Sequence, residues 1–260
     1  MLSDGLAVER TGLDAVALKP AEVDVSRGVD VPVDTVAIDY EGRERVPDPE
    51  TLGALAAEKH VLLTTPVRAD GYDPLGDDSL VPEIPPGVLR VLVAGHGAYL
   101  SDEEADRAVA PRMGAALQGT TDAWVGTEGI ERIALATGAT QYELLSRSTG
   151  RDVRALRAAG FEGGVAVYAP TVLTDDEDAV LDAVGPYAAR RRPVSRALPE
   201  GAATDASATG RAREVLSKAV RDYALVGQPA AVRERVDRLR EAGADHVVGY
   251  PARGLDDFLA

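Results

Sequence analysis

The sequence predicts a single α/β domain, a (βα)8 barrel of the TIM type, and three observations predict it. A unit of amphipathic helix, glycine, acidic residue and short apolar strand recurs along the chain. Eight short apolar segments alternate with helical patterns, as the right-handed crossovers of a closed parallel sheet require. The length of 260 residues suits a barrel, which typically needs about 250. We therefore expect one domain over residues 1–260, with a helical insertion at residues 190–225 before the eighth strand.

The clearest copy of the repeated unit lies in residues 223–254. Pro229 suits the first position of a helix, because proline has no N–H to leave unsatisfied and its φ already fits. Apolar residues then recur at three- and four-residue spacing on one face, and Gly243 predicts a left-handed helix end. The run His246–Tyr250 predicts a buried strand, so the segment is typical of one αβ unit of a parallel sheet.

The remaining elements follow from apolar runs between turn residues. The predicted strands, in chain order, are Ala15–Lys19, Thr35–Asp39, His60–Thr65, Val88–Ala94, Asp122–Gly126, Tyr142–Ser146, Val165–Ala169 and His246–Tyr250. A short leading helix is expected at Ser3–Thr11 and another at Pro49–Lys59. The S-x-x-E pattern from Ser101 to Glu104 is a capping box, and it predicts a helix that runs to about Leu117.

Three connecting segments have patterns of their own. Val67–Gly87 is rich in glycine, proline and aspartate, and a loop of that length is typically functional or mobile. Thr174, followed by Glu177, predicts the capped start of a helix that runs to Ala189. The small, polar segment Pro199–Gly210 predicts a flexible surface loop.

The composition excludes several classes of protein. With 43 acidic and 28 basic residues the net charge is −15, which argues against binding to nucleic acid or an anionic membrane surface. No apolar run approaches the roughly 18 residues of a membrane span, and the N-terminus has no signal-peptide core. We therefore expect a cytoplasmic protein. The absence of cysteine excludes disulfides, thiolate zinc sites and cysteine nucleophiles.

The balance among the charged residues indicates adaptation to high salt. Lys19, Lys59 and Lys218 are the only lysines, whereas arginine and aspartate are abundant. Concentrated salt screens the self-repulsion of such an acidic chain, so we predict a halophilic protein. A genome of high GC content favours the same codons and is the alternative explanation.

Polar residues at the ends of the predicted strands are the candidates for chemistry, because active sites of such barrels lie at the carboxyl ends of the strands. His96 follows the fourth strand, whereas the other two histidines begin strands. The alternative is that His96 simply occupies a glycine turn. The other polar residues at strand ends include Lys19, Asp39, Thr64, Thr65, Glu128 and Tyr168. No spacing typical of metal ligands or of a nucleophile elbow is present, so we expect no metal.

The segment SRSTGRD, directly after the sixth strand, predicts an anion site. Ser148 or Thr149 can cap the next helix, and Gly150 lets the backbone approach a ligand closely. Arg147 and Arg151 add guanidinium donors, which suit a phosphate. The alternative is an ordinary capped helix with solvated arginines.

Two segments carry a resemblance to a known family. They are YELLSRSTGRDVRALRAAGFEGGVAVYAP, with its strand, glycine-containing loop and helix, and VGQPAAVRERVDRLREAGADHVVGYPARG, with its G-x-P-x-x-V helix and final strand. The chain thereby resembles the bacterial luciferase-like superfamily, and within it the F420-dependent methylenetetrahydromethanopterin reductases. With the high-salt composition, we interpret it as a divergent haloarchaeal member.

The resemblance implies an activity and a site. The activity is hydride transfer between F420, or FMN, and an organic small-molecule substrate, with His96 or Glu128 relaying a proton. The cofactor phosphate is expected at Ser146, Arg147, Ser148, Thr149 and Gly150. The ring and the substrate are expected among Asp39, Thr64, Thr65, His96, Glu128 and Tyr168. Family members usually pair, so the resemblance also implies a homodimer.

Two other functions stay open from the sequence. The first is a divergent barrel that binds a ligand or a protein partner without catalysis, which the scarcity of aromatic residues, two Phe and one Trp, favours because a flavin ring needs stacking surface. The second is a different phosphate-ligand barrel enzyme, an aldolase or isomerase, with Lys19 as a Schiff base.

Overall fold

The computed structural model describes residues 6–260, and within that range the chain forms nine strands. They are β1 (Ala15–Leu18), β2 (Thr35–Ile38), β3 (His60–Pro66), β4 (Val88–Val93), β5 (Trp124–Gly126), β6 (Thr140–Leu144), β7 (Val165–Val172), β8 (Leu225–Val226) and β9 (His246–Pro251). Neighbouring strands follow the order β6-β5-β4-β3-β2-β1-β9-β7-β8, and β6 also pairs with β7. Eight parallel strands therefore close into a barrel, and the fold class expected from the sequence is confirmed.

The short strand β8 is the difference from the expected strand count. Leu225 and Val226 pair in parallel with Thr171 and Val172 at the end of β7. Sequence patterns do not reveal a two-residue strand, because periodicity needs a longer run. The predicted eighth strand is therefore the ninth in chain order, although it is still the last strand of the barrel.

Helices connect the strands. They are α1 (Pro49–Glu58), α2 (Asp102–Asp106), α3 (Val109–Gln118), α4 (Glu131–Ala136), α5 (Thr149–Ala158), α6 (Glu177–Ala189), α7 (Arg192–Ser195), α8 (Gly210–Tyr223) and α9 (Pro229–Ala242). Short 3-10 turns lie at Ala7–Thr11, Val25–Asp30, Arg43–Arg45, Val81–Glu83 and Leu255–Asp257. The predicted leading helix is thus a 3-10 turn over its second half, while residues 3–5 lie outside the described range. Pro229 begins α9 and Gly243 ends it at φ 110°, as expected.

The chain divides into two compact units of internal contacts. The first contains the chain up to Leu13, Leu144–Phe161 and Val167–Ala260, and the second contains Asp14–Glu143 and Glu162–Ala166. The core of the first unit includes the buried faces of α6 and α8. That of the second includes Leu92, Val125 and the buried side of α3. A single domain, with an insertion at residues 190–225, remains a prediction.

The predicted helix from Ser101 to Leu117 is broken in the middle. The capping box forms as expected, since Ser101 accepts from the Glu104 N–H and Glu104 accepts from the Ser101 N–H. However, α2 ends at Asp106 and α3 begins at Val109. Pro111 explains the break, because inside a continuous helix it would remove a backbone hydrogen bond and collide with the preceding turn. The expectation of one continuous helix was wrong.

One expectation about the α6 region was wrong. The cap of α6 is Asp176, which accepts from the N–H groups of Asp178 and Ala179, and not Thr174. The segment at residues 199–210 is a loop anchored on α6, because Asp182 accepts from the Ala206 N–H at 2.9 Å. Gly185 makes this approach possible, since a Cβ there would collide with the carbonyl oxygen of Thr204.

Strand register assigns the side chains of the second unit to two faces of the sheet. Leu92 and Val125 are register partners and pack with Met113 of α3. This helix-covered face also carries Thr65, the register partner of Leu92. Side chains alternate along a strand, so the neighbouring residue Thr64 lies on the opposite face, called here the inner face.

Candidate active site

Several polar side chains lie together on the inner face of the second unit, near the ends of its strands. Thr64 is 8% exposed, and Tyr142 of β6 is 5% exposed on the same face. Burial raises the pKa of the Tyr142 hydroxyl well above its ordinary value, and the nearby carboxylate of Asp39 raises it further. Tyr142 therefore stays protonated close to the Asp39 carboxylate, so that one neutral donor and one anion lie together.

Backbone contacts hold this group in place. Thr64 Oγ1 accepts a hydrogen bond from the Tyr40 N–H at 2.5 Å and donates to the Ile38 carbonyl at 3.4 Å. The Thr127 N–H donates to the carbonyl of Tyr142 at 3.0 Å. Trp124 and Tyr142 lie with ring centroids 6.0 Å apart and planes inclined by 46°. The inner face thus presents an aromatic surface beside the Asp39 and Tyr142 pair.

Thr65 lies apart from Thr64. It is fully buried, and its hydroxyl accepts from Arg90 Nε at 3.2 Å on the helix-covered face. Consecutive residues of a strand cannot point to the same side of a sheet. The two threonines named together from the sequence are therefore separated, and only Thr64 lies on the inner face.

His96 lies in the turn after β4, and its ring is exposed. Its Nδ1 accepts from the Ala98 N–H at 3.1 Å, so Nε2 carries the proton in the neutral ring. Arg68 fixes the turn from below by donating to the carbonyl oxygens of Ala94 at 2.6 Å and Gly95 at 3.0 Å. The backbone of the turn is therefore fixed by hydrogen bonds, and His96 exposes its Nε2–H as a donor.

The loop that supplies Arg68 is fixed by buried ion pairs. Asp73, which is 1% exposed, meets Arg112 Nε at 2.8 Å and Arg107 Nη1 at 3.3 Å. Glu104 accepts from the Asp70 N–H at 2.6 Å. Because these contacts join the loop to α2 and α3, the long segment after β3 is anchored at several points and supports the His96 turn.

Glu128 follows β5 and is exposed. The neighbouring Gly129 adopts a positive φ of 75°, and α4 begins at Glu131. Glu128 is placed at a strand end, as the sequence predicts. Its role in proton transfer stays a prediction.

The loop between β6 and α5 gathers three hydroxyl groups in the first unit. Ser146 Oγ lies 3.1 Å from Ser148 Oγ and 3.2 Å from Thr149 Oγ1. Thr149 is fully buried, and its hydroxyl accepts from the Ser146 N–H at 2.9 Å. Ser148 holds the N-cap position of α5 without a side-chain cap bond. The expectation that Ser148 or Thr149 caps the helix by its side chain was wrong, because these hydroxyls bind within the loop.

The two arginines of this loop differ. Arg147 is exposed beside the half-buried hydroxyls of Ser146 and Ser148. Arg151, 79% exposed, pairs with Asp152 at 3.1 Å. A Cβ at Gly150 would meet no atom closer than 3.9 Å. The packing of the protein around Gly150 therefore does not require a glycine there. The loop offers serine hydroxyls and one guanidinium at the positive end of a helix, which suits an anion.

Tyr168 lies on β7 and is 7% exposed. Its ring is nearly parallel to that of Tyr250 on β9, with planes 7° apart and centroids separated by 6.4 Å. Its carbonyl accepts from the Leu145 N–H at 2.8 Å, one residue before Ser146. Tyr168 thus contacts the strand end that leads into the hydroxyl loop.

Two residues of the candidate site were not predicted from the sequence: Tyr142 on the inner face, and Arg68, which holds the His96 turn. Tyr142 looked like the first residue of a strand, but β6 begins at Thr140, so the tyrosine lies further along it on the inner face. Arg68 lay within a loop that offered no periodic pattern. Lys19, the Schiff-base alternative, pairs with Glu22 at 3.6 Å, which does not favour a free amine nucleophile.

Two findings concern metals and membranes. Within residues 6–260 no three histidine or carboxylate side chains cluster in a way that would hold a metal ion. Over the same residues, no helix combines the length and the apolar character that crossing a bilayer demands.

Comparison with solved structures finds proteins of similar fold. One similar structure is an F420-dependent secondary alcohol dehydrogenase in complex with an F420-acetone adduct, with a TM-score of 0.61, 12% identity, and coverage of 92% of this chain and 93% of that one. Another is the coenzyme F420-dependent tetrahydromethanopterin reductase of Methanopyrus kandleri, with a TM-score of 0.59, 15% identity, and coverage of 94% and 93%. The fold of this chain therefore matches both structures along nearly its whole length.

The chain belongs to the family described as "Family of unknown function (DUF7388)", whose model matches residues 8–258. A comparison with curated proteins found no match.

The residues present fit the phosphate-bearing end of F420 or FMN. Ser146 and Ser148 provide hydroxyl donors, and Arg147 provides an exposed guanidinium at the start of α5. The inner face of the second unit provides the Trp124 and Tyr142 rings.

Proposed function

We propose that this protein is an oxidoreductase that transfers a hydride between F420, or FMN, and a small organic substrate. The observation that carries the proposal is the full-length likeness of the barrel to two F420-dependent enzymes, together with the hydroxyl loop at the start of α5. Nothing in the arrangement of the described residues favours the non-catalytic alternative over this one.

The chain's own residues have separate tasks in the proposal. Ser146, Arg147 and Ser148 bind the cofactor phosphate, while Thr149 fixes the loop from its buried position. Gly150 follows in the first turn of α5, where backbone N–H groups face an anion. Arg147 supplies the charge-assisted contact, which is stronger than a neutral hydrogen bond.

The second group orients the ring and the substrate. Asp39, Thr64 and Tyr142 provide an acceptor, a hydroxyl and a neutral donor on the inner face. Tyr168 supplies a further buried aromatic ring. Thr65 is left out of the proposed ring contacts because its hydroxyl is engaged by Arg90 on the other face.

The bound cofactor supplies the hydride chemistry, and the protein supplies orientation, exclusion of water and proton transfer. His96 is proposed as the proton donor at Nε2, since Nδ1 is occupied by the Ala98 N–H. Glu128 is the second candidate for this proton relay.

Cofactor titration tests the proposal. Purified protein in molar salt is titrated with F420 and with FMN, and the change in cofactor fluorescence is followed. We expect saturable binding of one of the two, weakened at least tenfold by Arg147→Ala, since a charge-assisted contact is worth about 1.5–3 kcal/mol. Arg151→Ala is the matched control, because Arg151 is also exposed but already paired with Asp152. If neither cofactor binds, the proposal is rejected.

The proposal also includes that the protein forms a homodimer, is cytoplasmic and is adapted to high salt. Sedimentation velocity in molar salt checks the dimer. A single species with the mass of one 27.2 kDa chain would contradict it.

A further inference from the structure

An arginine is buried in the second unit without a carboxylate partner. Arg90 of β4 is 6% exposed and lies on the helix-covered face, in register with Leu63. Its Nε donates to Thr65 Oγ1 at 3.2 Å, and its Nη1 donates to Thr120 Oγ1 at 3.4 Å. Both partners are neutral hydroxyls, and no acidic side chain in the described part of the chain pairs with this guanidinium.

Two buried polar atoms at this place have no hydrogen-bond partner within residues 6–260. They are Arg90 Nη2 and the hydroxyl oxygen of Tyr72. Tyr72 is 0% exposed and packs edge-on against Tyr40, with ring centroids 5.3 Å apart. Tyr40 donates its N–H to Thr64 Oγ1, and the next residue, Thr65, accepts from Arg90 Nε, so Tyr72 and Arg90 lie in the same region. Two buried donors are therefore available in one region.

The charge on the buried Arg90 guanidinium has lost its hydration, so other groups must offset the unfavourable free energy of burial. An unpaired ion transferred from water into a protein interior is strongly destabilising unless an opposite charge and hydrogen bonds meet it. Thr120 lies just beyond the end of α3, so the partial negative charge of that helix end offsets part of the charge on Arg90. A water molecule could satisfy the two donors, but it would add no negative charge beside the guanidinium.

We propose that Arg90 Nη2 and the Tyr72 hydroxyl bind a small inorganic anion, chloride, beneath α3. A monatomic halide suits a site with few donors, whereas phosphate or sulfate presents several oxygens that each need a partner. The site lies on the helix-covered face and not on the inner face, so it stabilises the fold and does not depend on the proposed function.

Thermal unfolding in matched salts tests the site. Wild-type protein is unfolded in sodium chloride and in sodium glutamate at equal sodium concentration, so that general screening is the same. We expect a higher Tm in chloride, with a difference that grows with chloride concentration because the ion binds the folded state. Equal Tm values in the two salts at every concentration would overturn the proposal.

Tyr72→Phe is the decisive variant, because it removes the hydroxyl and keeps the ring that packs on Tyr40. We expect it to lose most of the chloride-specific rise in Tm. If the hydroxyl binds nothing, the same change leaves the chloride-specific rise intact, which overturns the proposal. Arg235→Met is the control, since Arg235 is a half-buried arginine that donates to the Arg221 carbonyl at 2.7 Å. It should keep the full chloride effect.

Crystals grown in sodium bromide locate the ion directly. Wild-type crystals should show an anomalous peak in contact with Arg90 Nη2 and the Tyr72 hydroxyl, and crystals of Tyr72→Phe should lack it. A peak at that position without anomalous signal would be a water molecule and would overturn the proposal. A chloride effect on Tm without a bromide peak there would overturn it as well, because the ion would then bind elsewhere.

Discussion

Asp73 and Arg112 form a buried ion pair that joins the loop after β3 to helix α3. Arg112 Nε lies 2.8 Å from Asp73 Oδ2, and the aspartate is 1% exposed. Arg107 Nη1 meets the same oxygen at 3.3 Å. Since Arg107 also donates to the Arg68 carbonyl at 2.9 Å, the pair connects α3 to the residue that holds the His96 turn.

Asp73→Asn should destabilise the protein by about 2 kcal/mol, because it leaves two arginines without their buried anion. The value is below the roughly 3–5 kcal/mol of a fully buried pair, since both arginines keep some contact with water. Asp70→Asn is the control: Asp70 is 59% exposed and pairs with Arg107 at 2.8 Å, so its loss should cost less than about 1 kcal/mol. Urea unfolding of both variants measures the difference, and equal losses would contradict a buried role for Asp73.

Gly185→Ala should destabilise the packing of the loop at residues 199–210 on α6. The added Cβ would collide with the Thr204 carbonyl, so either the loop or the helix must move, at a cost of about 1–3 kcal/mol. Gly114→Ala in α3 is the matched control, because a Cβ there meets no atom within 4 Å. That change should stabilise the helix by about 0.5–1 kcal/mol. Thermal unfolding compares the two variants, and a stabilising effect of both would show that the Thr204 carbonyl does not restrict residue 185.

Alkaline pH should destabilise the folded protein through Tyr40. Burial, followed by the carboxylates of Glu104 and Glu44, raises the pKa of Tyr40 to about 12. The unfolded chain has a tyrosine pKa of about 10, so the folded state holds this proton more tightly. The resulting stability is fully present below about pH 10 and is lost as the pH rises towards 12.

Absorbance titration of tyrosinate measures this effect. Wild-type protein should show an ionisation step near pH 12 that is absent from Tyr40→Phe. Tyr99→Phe, which removes an exposed ring, should leave that step in place. Superimposable curves for wild type and Tyr40→Phe above pH 11 would show that Tyr40 ionises without hindrance.

His96→Ala should lower kcat by about 10²–10⁴-fold if His96 donates the proton in the proposed reaction. Binding of the cofactor, followed by fluorescence, should stay unchanged, which separates a catalytic effect from loss of the fold. His60→Ala is the control, since His60 is an exposed histidine at the start of β3. An unchanged kcat for His96→Ala would move the proton relay to Glu128, whose Gln variant is measured in the same assay.

The order of the elements could be predicted from the sequence because each depends on local patterns. The strand starting at His246 and the helix starting at Pro229 needed only apolar periodicity, a proline and a glycine. The capping box at Ser101 was correct for the same reason. The break before α3 does not follow from this pattern, because the apolar periodicity continues across residues 107–108 while Pro111 prevents a continuous helix.

The candidate site was predicted only in part. A residue's place at a strand end can be predicted from the sequence, but the face to which its side chain points cannot. Thr64 and Thr65 are neighbours in the sequence, yet only register and packing show that one lies on the inner face and the other meets Arg90. Likewise, Ser148 and Thr149 have the residue types of helix caps, but their hydroxyls bind within the loop.

The sequence by itself determined the class of fold and the acidic surface, because hydrophobic period, turn residues and net charge are properties of the chain. Only the tertiary structure decided which polar side chains are buried and what each one meets. Arg90 and Tyr72 show the physical reason, since whether a charge or a hydroxyl is desolvated depends on residues far away in the chain that pack against it.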